Sequence, residues 1–182
     1  MTQIIKTKIP DLELRTADET DVPVILSLIK SLAQYEKLTH EVVAGEELLR
    51  KNLFGPNKYA EVIIAEYKHE PAGFALFFHN FSTFVGKPGI YLEDLFVKPE
   101  FRGKGIGKTL LTYLAKLGVE RECGRIEWSV LDWNTPAVNF YRKLGAVPMD
   151  QWTLFRLSGN AIPELASLIE SNGAAVTREP ED

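Results

Sequence analysis

The stretch PGIYLEDLFVKPEFRGKGIGKTLL, residues 88–111, constrains the chain more than any other. It sets an apolar strand, a glycine-rich turn and a leucine-rich segment in direct succession. Pro99 ends the strand, and Leu110, Leu111, Leu114 and Leu117 recur at helical spacing, which predicts an amphipathic helix over GKTLLTYLAKLGVERE. Glycines let the backbone turn its N–H groups to one side, and a helix start adds free N–H groups and a favourable dipole for anions. Arg102, Lys104 and Lys108 add positive charge, so the segment reads as a pyrophosphate cradle. A glycine-rich turn that merely starts a helix is the plainer alternative.

Two well-known phosphate loops do not fit. A Walker loop, GxxxxGK[ST], would align its last part with Gly107, Lys108 and Thr109, but its first glycine would then fall on Arg102. A dinucleotide fingerprint needs GxGxxG, whereas Gly103, Gly105 and Gly107 alternate evenly.

Around this unit the chain reads as βααβββαβαβ with an added helix, a mixed α/β layer arrangement. LELRT begins as a strand. A helix follows with Thr20 or Asp21 able to cap it, Pro23 in its first turn, and Ile25, Leu28, Ile29 and Leu32 inward. AGEELLRKNLFG predicts a second helix closed by Gly55. YAEVIIAEY and AGFALFFHNF predict a hairpin across the polar KHEP. RIEWSVLDW is expected as a strand, NTPAVNFYRKLG as a short helix capped by Asn134 and ended by Gly145, WTLFRL as a last strand and AIPELASLIE as a last helix. A disordered charged tail is expected over 174–182.

The 182 residues suit a single domain. A net charge of −4 argues against a general nucleic-acid binder, which needs a basic face. Cys123 is the only cysteine, so an internal disulfide is impossible and a reducing, cytoplasmic setting is expected. The opening MTQIIKTKIP lacks the long apolar run of a cleaved leader, and no membrane-spanning run occurs elsewhere. His40, His69 and His79 lack metal-ligand spacing, so no metal is expected.

YLEDLFV carries two carboxylates inside an apolar strand. Strict alternation would put Tyr91, Glu93, Leu95 and Val97 on one face and Leu92, Asp94 and Phe96 on the other. Partial burial would raise a carboxylate's pKa towards neutrality, where a base is useful. Tyr141, in NFYRKLG, reads either as a core aromatic or as a phenolic proton donor.

RGKGIG between a strand and a leucine-rich helix resembles the acyl-CoA loop of the GCN5-related N-acetyltransferases, usually [QR]xxGx[GA], with Arg102, Gly105 and Gly107 in register. YLEDLFVKPEFRGKGIG, WNTPAVNFYRKLGA and LIKSLAQYEKL resemble the diamine (spermidine/spermine) and thialysine branch, so the likeness runs over roughly residues 12–157. The resemblance implies a mixed, mostly antiparallel sheet splayed at its middle with helices on both faces. It implies acetyl-CoA as donor, no metal, a small amine as acceptor, direct transfer in a ternary complex, and a homodimer.

Residue by residue, the resemblance implies pyrophosphate binding by Arg102, Gly103, Lys104, Gly105, Ile106, Gly107 and Lys108. It implies backbone contacts to the donor from Leu95, Phe96 and Val97, with a bulge there freeing N–H groups for the oxyanion. Asn134 is implied at the cofactor as well as at its helix cap. Tyr141 is implied as the acid for the leaving thiolate and Glu93 as the base for the amine. Tyr35, Glu36, Glu93, Glu127, Trp128 and Asp150 match acceptor contacts, where acids concentrate a cation and aromatic faces hold an ammonium group. The match at Asp150 is loose, since residues 149–152 are shorter than their counterpart. Polyamine and lysine analogue stay in competition, and a protein N-acetyltransferase or a non-catalytic acyl-CoA-binding module are the alternatives.

Overall fold

A single sheet of six strands runs in chain order: β1 (Ile4–Lys6), β2 (Leu12–Thr16), β3 (Glu61–Tyr67), β4 (Glu70–Ser82), β5 (Lys87–Val97) and β6 (Ile126–Trp128). All neighbours are antiparallel except β5 and β6, which are parallel. The computed structural model describes residues 2–170, which divide into one unit up to Leu131 and another from Asp132. The sheet and helices α1 (Val22–Glu36), α2 (Glu46–Leu49) and α3 (Ile106–Glu120) belong to the first; α4 (Thr135–Lys143) and α5 (Ala161–Glu170) belong to the second.

The apolar stripes expected on α1 and α3 are the ones that pack. Ile25 and Leu28 of α1 join Leu53, Val62, Ile64, Phe74 and Phe96 in one core, with Ile29, Leu32 and Tyr35 against its margin. On α3, Leu110, Leu111, Leu114 and Leu117 are buried, and the helix lies against β4 and β5. Burying each such side chain contributes about 1.5–3 kcal/mol. Helix α1 is anchored at its start: Arg15 of β2 donates from both Nη atoms to Asp21 (2.6 and 2.8 Å) and from Nε to Glu66 of β3 (2.7 Å). Asp21 is therefore committed to Arg15 and to the Asp18 N–H, and Asp18 supplies the cap, accepting from the Thr20 N–H of a short 3-10 turn.

Other expectations are corrected. β1 adds a strand to the expected order; it is only three residues long, with Ile4 and Lys6 exposed, so its isoleucines show no alternation over a strand-length run. The second helix is one α-turn that continues as a π-turn over Arg50–Phe54 before Gly55. The β3–β4 hairpin turns on Lys68 and His69, both at positive φ, and Pro71 falls inside β4 beside a register shift, where its missing N–H is tolerated. WTLFRL does not form the last strand: residues 152–157 pair with no strand among the described residues, and a backbone without a ladder partner gains nothing from β propensity. Residues 174–182 lie outside the described residues.

The decisive irregularity is in β5. Leu76 pairs with Asp94, but the next residue, Phe77, pairs with Leu92, so Glu93 is an extra residue opposite no partner. A bulge of this kind inverts facing beyond it. Ile90 and Val97 would face opposite ways in a regular strand, yet both meet α3, at Gly118 and Gly107. Tyr91 packs on Phe78, and Phe96 enters the core beneath α1. The strict alternation expected for YLEDLFV is thus broken at Glu93: Leu92 shares a face with Leu95 and Val97, and Tyr91 shares one with Asp94 and Phe96.

Strand β6 follows β5 only over Ile90–Leu92. From the bulge to Val97, the outer edge of β5 has no strand beside it among the described residues. This is the splay of the sheet, and it explains why RIEWSVLDW is a strand only over Ile126–Trp128.

A test of the β4–β5 register follows from Gly73. A Cβ there would lie 2.4 Å from the Phe96 carbonyl oxygen and 3.1 Å from Val97 Cα, both backbone atoms. Gly73→Ala is expected to lower stability by about 1–3 kcal/mol in urea unfolding. Gly45→Ala, with open space around it, is expected to change little.

Candidate active site

The glycine loop leaves β5 through a 3-10 turn, Pro99–Phe101, and enters α3 at Ile106. Gly103 (φ 78°) and Gly105 (φ 82°) are both left-handed, a conformation that costs other residues about 1–2 kcal/mol. A Cβ on Gly105 would also press on Ile9 Cδ1 at 3.0 Å, whereas one on Gly107 meets Val97 Cγ2 at an ordinary 3.7 Å. Among the described residues no side chain caps α3. The N–H groups of its first turn, from Ile106 to Lys108, are left for an anion.

The two cations at the loop's entry do not simply line the cradle. The Arg102 Nε donates to the Val97 carbonyl (3.0 Å), and its guanidinium lies 4.3 Å from the Tyr35 ring centre and 5.9 Å from that of Phe96. Lys104 Nζ lies 5.4 Å from the Tyr67 ring, which meets Phe101 edge-on at 6.0 Å.

On the free edge of β5, alternation decides which N–H groups face out. Lys98 donates to Ala72 of the β4 side, so Phe96 donates that way too, while Leu95 and Val97 present N–H groups to the open edge. Phe96 is instead a core residue, 3% exposed. The bulge sits at Glu93 rather than within Leu95–Val97. Among the described residues no strand pairs with these outward N–H groups, because β6 stops and not because a bulge displaces them.

The carboxylates also sort differently from expectation. Glu93, at the bulge, is exposed, and Asp94 takes the half-buried position on the α1 face. Burial first, then the negative charges of Glu93 and Glu36, push the Asp94 carboxyl up to about 7. Burial also raises Glu36, at the last turn of α1. Among the described residues, no lysine or arginine forms an ion pair with any of the three. Tyr35, Glu36, Glu93 and Asp94 therefore gather where α1 ends above the bulge.

Glu127 is otherwise engaged: it accepts from Asn80 Nδ2 (2.7 Å) and pairs with Arg125 (2.9 Å). Trp128 is half-buried on β6. Asn134, Tyr141 and Asp150 belong to the second unit. There the Asn134 Oδ1 accepts the Ala137 N–H at the start of α4, the cap expected from the sequence. Tyr141 lies on α4 with its ring centre 5.2 Å from that of Phe140. Among the described residues no group of histidine, cysteine and acid side chains could hold a metal, and no helix is long and apolar enough to cross a membrane.

A mixed sheet splayed beside a glycine loop, with acids at the split, defines an acyltransferase class, and sequence comparison agrees. The Acetyltransferase (GNAT) family profile matches residues 27–146, and the chain belongs to that family. It stands with the diamine branch and is an N-acetyltransferase of amines. It is 39% identical to thialysine N-epsilon-acetyltransferase of Sus scrofa over 84% of this chain and 96% of the relative. It is 35% identical to an L-ornithine N5-acetyltransferase of Arabidopsis thaliana over 85% of this chain and 88% of the relative. Among solved structures, an integron cassette protein of V. cholerae superposes with a TM-score of 0.73 at 27% identity, covering 86% of this chain and 98% of that one.

Two measurements check the geometry. Gly105→Ala is expected to weaken coenzyme A binding at least about ten-fold, and Gly107→Ala by less than about three-fold, in calorimetric titration. For Asp94, the unfolded chain releases its proton near the ordinary 3.8 and the folded chain near 7. Between those values the folded state holds more protons, so this group's contribution to stability falls as pH rises and levels off above about 7. Asp94→Asn should therefore raise Tm by a few degrees at pH 8, and its unfolding curve should converge on the wild type's near pH 4.

Proposed function

We propose that the protein transfers an acetyl group from acetyl-CoA to a primary amine of a small diamine or lysine analogue such as thialysine, by direct transfer in a ternary complex. The observation that carries this reading is the unpaired cluster of Glu36, Glu93 and Asp94 beside the open N–H edge of β5 and the glycine loop. The thialysine and ornithine acetyltransferase relatives support an amine-bearing amino acid as acceptor.

The residues fit the donor. The uncapped first turn of α3, the left-handed glycines and Lys108 would hold its diphosphate, with Asn134 a further contact. Bound acetyl-CoA supplies the acetyl group as a thioester. The acids draw in the ammonium form of the acceptor, which dominates near neutrality because an alkylamine pKa is about 10. Asp94 and Glu36 anchor it, with Tyr35, whose ring carries the Arg102 guanidinium, as the neighbouring wall. Glu93, exposed at the bulge, removes the proton, directly or through water, and passes it to solvent. Leu95 and Val97 N–H groups donate to the carbonyl oxygen as charge builds there. The amine nitrogen would form its bond to the acetyl carbon as the carbon–sulfur bond breaks; Tyr141 would donate its phenolic proton to the departing sulfur and recover one, through water, from the nitrogen that becomes the amide. Trp128, Glu127 and Asp150 are kept as outer acceptor contacts, with Glu127 acting only if it leaves Arg125. The working form is proposed to be a cytoplasmic homodimer.

The test is a panel of diamines, polyamines and lysine analogues assayed for free thiol release with acetyl-CoA. Turnover of none would reject the reading. Tyr141→Phe should lower kcat by about 10–1,000-fold with little effect on coenzyme A affinity; undiminished kcat would remove its role. Glu93→Gln should lower kcat/KM at neutral pH and recover partly at high pH. Asp94→Asn should instead raise the amine KM and abolish the acidic limb near pH 7 set by this carboxyl.

A further inference from the structure

In a phosphate-binding loop, an arginine at the entry is the obvious anion ligand. The structure puts the Arg102 side chain to another use. Its backbone is extended at φ −66° and ψ 162°, and its N–H closes the Pro99–Phe101 turn. The side chain folds back along β5, where Nε donates to the Val97 carbonyl on the same open edge that presents the Val97 N–H. The guanidinium carbon then lies over Tyr35, 4.3 Å from its ring centre. Tyr35 is in the last turn of α1, adjacent to Glu36, and its body packs against the core cluster that includes Phe96. One side chain thus ties three parts of the site: the entry of the donor loop, the end of the oxyanion edge, and the acceptor wall.

We propose that Arg102 is a positioning residue that couples donor and acceptor sites through Tyr35 and the Val97 carbonyl, rather than a charge that contacts the donor's phosphates. The inference rests on the acetyl-CoA reading above. Its chemistry is specific to arginine. A lysine keeps the charge but cannot both stack flat on a ring and donate sideways from a rigid fork. A phosphate contact needs mainly charge, whereas a stacked bridge needs the plane and the ring beneath it.

The experiment uses the full chain, coenzyme A as probe for the donor site, and Arg102→Lys, Tyr35→Leu, Tyr35→Phe and the Arg102→Lys/Tyr35→Leu double variant. Calorimetry gives the coenzyme A Kd, and steady-state kinetics give the amine KM with an amine the wild type acetylates. Arg102→Lys is expected to weaken coenzyme A about five-fold or more, despite its retained charge, and to raise the amine KM. Tyr35→Leu, although it lies on α1, is expected to weaken coenzyme A by a similar factor. Tyr35→Phe, which keeps the ring, should hold coenzyme A affinity within about two-fold of wild type. The double variant should be no worse than the poorer single one, because both remove the same bridge.

Coenzyme A affinity kept within two-fold in Arg102→Lys, or unchanged in Tyr35→Leu, or multiplied losses in the double variant, would each overturn the proposal and return Arg102 to a simple charge contact. Loss of folding in Arg102→Lys, seen as a collapsed Tm, leaves the Tyr35→Leu and Tyr35→Phe pair to decide. If the wild type itself fails to bind coenzyme A, the fault lies with the acetyl-CoA reading, and that outcome is recognisable before any variant is made.

Discussion

One extra residue in the β4–β5 ladder organises this molecule. A strand that kept strict alternation through YLEDLFV would send Leu92, Asp94 and Phe96 to one side together. Glu93 has no partner opposite it, so facing inverts there, and the two halves of β5 serve different purposes. Before the bulge, the strand supports β6 on its far edge. Beyond it, β6 is gone, and the backbone of Leu95 and Val97 faces outward with unpaired donors. The same inversion carries Phe96 into the core beneath α1 and sets Asp94 beside it, close to Glu36. An edge of outward N–H groups, left where β6 stops, and an acid cluster, set by the insertion in register, thus lie side by side on β5.

The glycine loop depends on that strand. Its helix is pinned where Gly107 meets Val97, and its entry where Arg102 bonds the Val97 carbonyl. Left-handed glycines then turn the chain so tightly that α3 begins with its amides uncapped. The favourable terms are ordinary ones: leucines of α3 buried on the sheet, and a bidentate Arg15–Asp21 pair holding the start of α1. The unfavourable term is concentrated at the site, where Asp94 is half-buried among like charges and, among the described residues, pairs with no cation. Such an arrangement costs stability and is retained where a cationic ligand would repay it.

Much of this was legible in the residues. The leucine spacing of α3 identified its buried face, and the glycine pattern identified the loop that opens the helix. The Asn134 cap on α4 was readable as well. These features depend on neighbours in the chain, within a turn or two. What was not legible depended on distant partners. Glu127 has the composition of an acceptor contact, but Arg125 and Asn80 occupy it. Arg102 matches the loop motif, but Tyr35, far off in sequence, receives its side chain. WTLFRL has strand propensity without a strand to pair with.

The sequence alone determined which segments become the long helices, where a left-handed glycine turn opens α3, and that carboxylates lie in an apolar strand, because propensity, periodicity and glycine geometry act locally. Tertiary structure alone decided which of the two carboxylates is the more buried, which backbone amides face the open edge, and where the loop's cations go. Each of those depends on a register between strands or on a ring brought in from another helix. A one-residue slip reverses every facing beyond it, and no local preference encodes that slip.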